Sequence, residues 1–157
     1  MDFTKILATL ILCASFIFGV SKVEAASFGS VDEQAEAVQL LNEVRAEVGL
    51  EALNWDPNSK LQAAARIRAQ ELEELFSHTR PDGTSCFTIL KAYRINYRTC
   101  AENIAYGTNL DAEGVIELWY NSPGHYKNMT NADVTEVGLA SWHDDGGNVY
   151  WVQLFKG

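Results

Sequence analysis

Residues 134–155 read VTEVGLASWHDDGGNVYWVQLF, and this stretch decides the fold. Two β-rich runs, 134–142 and 148–155, flank His143-Asp144-Asp145-Gly146-Gly147, the composition of a hairpin turn. In the second run Val149, Trp151 and Phe155 alternate with Tyr150, Val152 and Leu154, so both faces are apolar. A strand with two apolar faces belongs inside a sheet that is covered on both sides. The chain before it must supply that cover.

Immediately upstream, residues 119–129 read WYNSPGHYKNM. Asn121-Ser122-Pro123-Gly124 breaks a helix expected over 111–120, whose inward residues are Val115, Leu118 and Trp119, and the resulting loop positions His125. Residues 101–106 are expected to be a strand with Glu102, Ile104 and Tyr106 on one face. A carboxylate on a covered face needs a partner, either backbone amides or a functional group. Residues 86–93 are read as a short helix.

Two longer helices come first. Ser30-Val31-Asp32-Glu33 has the form of a capping box, and Ala37, Leu40, Leu41, Val44 and Val48 follow at helical spacing up to Gly49. Asp56-Pro57 is read as the start of the second helix, with Leu61, Ala64, Ala65, Leu72 and Phe76 as its buried stripe. His78 emerges at its exit, ahead of Pro81-Asp82-Gly83, where it serves either the helix's carbonyl end or a site. His143, beside the hairpin turn, is read as solvent-exposed and without a role. Together these elements make an α+β protein, a three-layer α-β-α sandwich with a small antiparallel sheet between helices.

Residues 1–25 are read as a signal peptide, with an apolar run over 6–20 and small residues at Val23 and Ala25 suited to cleavage after Ala25. Retention of this run as a membrane anchor is the alternative. Residues 26–157 then form one domain. The formal net charge is -9, with no basic cluster, which excludes nucleic acid and anionic membranes as natural partners. No apolar helix face is left over, so a monomer is expected. Cys86 and Cys100 remain after processing, and in an oxidising compartment they are expected to pair; closing that loop would stabilise by roughly 3 kcal/mol. Metal ligation by the pair is the competing reading.

Two imidazoles and a carboxylate are also the donor types of a zinc site, although no local metal motif joins His78 to His125. A serine hydrolase on Ser122 and His125 lacks a nucleophile elbow. Asn128-Met129-Thr130 matches a glycosylation acceptor, for which chance suffices.

The order of motifs resembles the CAP superfamily of cysteine-rich secretory, antigen 5 and pathogenesis-related proteins, in its compact bacterial form. The motifs are Ser77-His78-Thr79 with Pro81-Asp82-Gly83, Glu102-Asn103-Ile104-Ala105, Trp119 with Ser122-Pro123-Gly124-His125 and Asn128, Glu136-Val137-Gly138, and the closing 150–155 run. The resemblance implies a cleft lined by two histidines and two acids, and three of these fall on His78, His125 and Glu102. The second acid's position holds Ser122, Glu117 is out of place for it, and Ala101 stands where a glycine usually precedes Glu-Asn. On this basis the chain is expected to be secreted and extracellular. It would bind a lipid-like, peptide or glycan ligand in a cleft of His78, Glu102, Ser122 and His125, with His78 and His125 as ligands for Zn2+. The alternative is a zinc-dependent hydrolase or peptidase with Glu102 as catalytic base.

Overall fold

The structure, a computed structural model, describes residues 25–157, so the leader expected over 1–25 lies, apart from Ala25, outside the described residues. Along the chain the elements are β1 (Ser27–Phe28), α1 (Val31–Glu47), α2 (Lys60–Glu74), α3 (Thr88–Ala92), β2 (Cys100–Thr108), α4 (Ala112–Tyr120), α5 (Pro123–Met129), β3 (Glu136–His143) and β4 (Asn148–Lys156). The strands form one antiparallel sheet in the order β1-β3-β4-β2. β4 is therefore internal, as its two apolar faces require. Val149, Trp151 and Phe155 pack with Ala37, Leu41, Val115 and Trp119 of α1 and α4. Val152 and Leu154 pack on the opposite face with Leu61, Ala64 and Ala65 of α2. The protein is the α+β three-layer sandwich that the pattern predicts.

Local chemistry explains most element ends. Ser30 accepts a hydrogen bond from the Glu33 amide at the start of α1. Gly49, at φ 74°, closes α1 by letting the Leu50 amide reach the Arg45 carbonyl at 3.0 Å. The second helix differs from expectation: Asp56 Oδ1 instead accepts from the Asn58 amide in a tight turn, and Ser59 caps α2 by accepting from Gln62. The 119–129 stretch is not all loop, since Ser122 and Pro123 start the short helix α5. Leu118 and Phe76, expected inside, are exposed, and Ile116 takes the inward place on α4. The two-residue strand β1, which carries no sequence signal of its own, pairs with the end of β3. His143 is not idle, for its Nε2 lies 3.2 Å from Glu33 Oε2. Among the described residues no helix is long and apolar enough to cross a membrane.

The free edge of the sheet, β2, is partly covered. Trp119 Nε1 donates to the Ile104 carbonyl at 3.2 Å, and Asn128 Nδ2 reaches the Glu102 carbonyl at 3.4 Å. Edge carbonyls thus anchor α4 and α5 against the strand that carries Glu102.

Candidate functional site

The dipeptide Glu102-Asn103 joins the two helical layers, because strand alternation sends its side chains to opposite faces of β2. Glu102 points toward α2 and is 1% exposed. There Arg68, fully buried, donates from Nε to Oε2 at 2.9 Å and from Nη2 to Oε1 at 3.3 Å. Arg68 also donates from Nη1 to Glu71 at 2.7 Å and from Nη2 to the Ser77 carbonyl at 2.9 Å. Arg80 holds Glu71 at 2.6 Å from the other side. Burial opposes the Arg68 charge, but the bonds and charges of Glu102 and Glu71 outweigh it and raise its pKa. Burial likewise pushes Glu71 up, and Arg80 and Arg68 more than reverse this to hold it low. Two guanidiniums thus balance two carboxylates.

His78 completes this chain of charges, with Nδ1 at 2.8 Å from Glu102 Oε1 on a side chain that is 58% exposed. With an ionised carboxylate as partner, Nδ1 carries the proton and donates it, which leaves the Nε2 lone pair free. This is the outer-partner arrangement that orients metal-binding histidines.

Asn103 serves the other layer. Its Nδ2 donates to the His125 carbonyl at 3.1 Å and to Gln153 Oε1 at 2.9 Å, while its Oδ1 accepts from Asn128 at 2.8 Å. Arg45, buried in α1, donates to the carbonyls of Met129 and Asn131 at the far end of α5. The short helix is held at both ends. Burial first, and then the charge of nearby His78, push the pKa of His125 down. His125 therefore stands in the field of His78.

The cysteine-rich secretory protein (CAP) family model matches residues 38–155. The chain belongs to the CAP family. It is 34% identical over 126 residues to the uncharacterized protein YkwD of Bacillus subtilis, covering 79% of this chain and 47% of that protein. It is 29% identical over 106 residues to the uncharacterized membrane protein YlbC of the same organism, covering 68% of this chain and 30% of YlbC. The chain thus spans less than half the length of these relatives. Among solved structures, an extracellular SCP-domain protein from Bacillus anthracis superposes with a TM-score of 0.67 at 25% identity, covering 80% of this chain and 40% of that one. An outer surface protein of Borrelia burgdorferi shares the fold with a TM-score of 0.72 at 23% identity, covering 82% of this chain and 94% of that one.

In this CAP domain Ser122, at the position where the resemblance implies a second acid, supplies none. It occupies the cap position of α5 and makes no side-chain capping bond, while its carbonyl accepts from the Tyr126 amide. Glu117 is exposed on α4. Cys86 and Cys100 are free cysteines in the structure. The Cys86 sulfur lies within 4.8 Å of a Glu102 carboxylate oxygen. Both cysteines line a cavity of about 390 Å³ together with His78, Glu102 and Asn128. Burial, then the charge of Glu102, pushes the Cys86 thiol up to about 12, so it stays protonated at neutral pH.

The residues that sequence reasoning missed are the supports. Arg68 lies squarely on the buried stripe of α2 between Ala65 and Leu72, and a cation on an apolar face was the available signal. Asn128 stands in the motif that carries the resemblance but without a role assigned to it, and Gln153, on an apolar face of β4, carried no charge to mark it.

Proposed function

We propose that this CAP domain works outside the cell as a ligand-binding module. Its cleft is formed by His78, Glu102, Ser122 and His125, and the two imidazoles hold a divalent cation such as zinc. The observation that carries this reading is the 2.8 Å contact between His78 Nδ1 and Glu102, which presents Nε2 as a ligand atom. The donor chemistry suits zinc, since neutral imidazole is a zinc ligand and His125 stays neutral below the ordinary histidine range. An extracellular place agrees with the leader read over residues 1–25, and with solved relatives described as extracellular or outer surface proteins. The formal charge of -9 favours a neutral or cationic ligand over an anionic one.

The hydrolase reading is less favoured. A general base needs a free oxygen near the water it activates, whereas the Glu102 oxygens are taken by Arg68 and His78. In this reading Glu102 orients His78 rather than acting on water.

Calorimetric zinc titration of the secreted protein tests the proposal. One zinc per chain is expected, with binding lost in the His78→Ala/His125→Ala double variant; unchanged zinc binding in that variant would overturn it. Intact-mass measurement of the same material checks export, with Ala26 expected as the first residue.

A further inference from the structure

One ring nitrogen of His78, the sulfur of Cys86 and a carboxylate oxygen of Glu102 lie within 4.8 Å of one another. We infer that these three groups form a second cation position beneath the cleft, selective for thiophilic divalent ions of the zinc group, with Cys86 as a thiolate ligand. This position goes beyond the cleft reading. It takes His78 through Nδ1 rather than Nε2, so it competes with the cleft ion for that ring and the chain holds one cation at a time, and it needs neither His125 nor Ser122.

Three observations carry it. The donor set is a sulfur, an imidazole nitrogen and a carboxylate oxygen, the mixture that zinc accepts and that magnesium and calcium do not. The backbone prearranges it, because the Cys86 amide donates to the His78 carbonyl at 2.9 Å and fixes the two residues together. His78 Nδ1 lies 2.8 Å from Glu102 Oε1, so a cation that takes the place of the proton between them meets both the ring nitrogen and that oxygen, with the Cys86 sulfur beside them. The fourth coordination position opens into the cavity lined by Cys100 and Asn128, where water completes a tetrahedron.

The protons balance. Cys86 loses its thiol proton to solvent as the sulfur–metal bond forms. The His78 proton passes from Nδ1, the nitrogen beside Glu102, to Nε2 as Nδ1 coordinates, so the ring stays neutral. Binding therefore releases one proton per cation, and affinity rises with pH. Arg68 and Arg80 already balance Glu102 and Glu71, so the new charge is a divalent ion against one thiolate.

Cobalt titration of the reduced protein tests this directly, because thiolate ligation produces a sulfur-to-cobalt charge-transfer band that imidazole and carboxylate ligands do not. The expected result is a band saturating at one cobalt per chain and displaced by zinc. It is kept in His125→Ala and lost in Cys86→Ser, where zinc affinity falls at least about tenfold, the cost of losing even an outer-shell partner. Thermal unfolding checks that Cys86→Ser folds. Independently of any variant, wild-type calorimetry in buffers of different ionisation enthalpy should report one proton released per zinc. Absence of the band from wild-type protein overturns the inference, as does its persistence in Cys86→Ser. Zinc bound without a thiolate signal and lost in His125→Ala overturns it while supporting the cleft. No binding at all removes both cation positions.

Discussion

Glu102 is the residue on which the site turns, because its buried charge is tolerable only with Arg68 alongside. Arg68→Met leaves that charge unpaired and is expected to cost about 3–5 kcal/mol, read as a lower urea midpoint. The Arg68→Met/Glu102→Gln double variant should recover part of the loss, since the uncompensated charge is gone. Glu102→Gln alone should fold but weaken zinc binding by about 10–100-fold, the usual effect of losing a histidine's outer partner. His125 gives a pH signature. Its folded pKa is depressed below the unfolded value, so below about pH 6.5 the unfolded chain binds the proton more readily than the native one. Stability from this group is present above that pH and lost as pH falls through the window down to the folded pKa. His125→Gln should flatten this part of the stability–pH curve measured by chemical denaturation, and an unchanged slope would show that His125 is not its source.

At the scale of elements, the decisive feature is how α5 reaches its place. Its seven residues are too few to hold a helix alone. Asn103, Asn128 and Arg45 tie it to β2 and α1. Asn103→Ala leaves the Asn128 amide with only its 3.4 Å bond to the Glu102 carbonyl, removes the side-chain donor to the His125 carbonyl, and should cost about 1–3 kcal/mol. The same variant should also weaken zinc binding to the cleft, although Asn103 offers no ligand atom to it. Stability loss with unchanged zinc affinity would mean that α5 docks by packing alone. The 119–129 stretch is legible as the holder of His125, because Pro and Gly punctuate it. Its helical turn is not, because the bonds that stabilise it come from residues 45 and 103, remote in the chain.

For the molecule as a whole, the sandwich depends on α2 lying directly on the sheet. A Cβ on Gly138 would stand 2.5 Å from the Leu61 carbonyl oxygen, so β3 and α2 touch backbone to backbone there. Gly138→Ala is expected to destabilise by about 1–3 kcal/mol and to lower the thermal midpoint, with the strain spreading toward Arg68 on the same helix. The alternation of Val149–Phe155, the hairpin turn, the capping of α1 and its glycine stop are all readable in the chain, because they rest on periods and caps spanning a few residues. Wrong inward assignments fell at helix ends and exits, at Leu118 and Phe76, where one neighbouring position decides what a face meets. The sequence by itself determined the layered α+β architecture and the identity of His78, Glu102 and His125 as candidates. Only the tertiary structure decided that Glu102 answers to Arg68, that His78 Nδ1 meets the same carboxylate, and that Asn103 ties α5 to β2. Those outcomes depend on which charges and donors meet across layers, and a buried charge takes whatever partner the packing brings within reach.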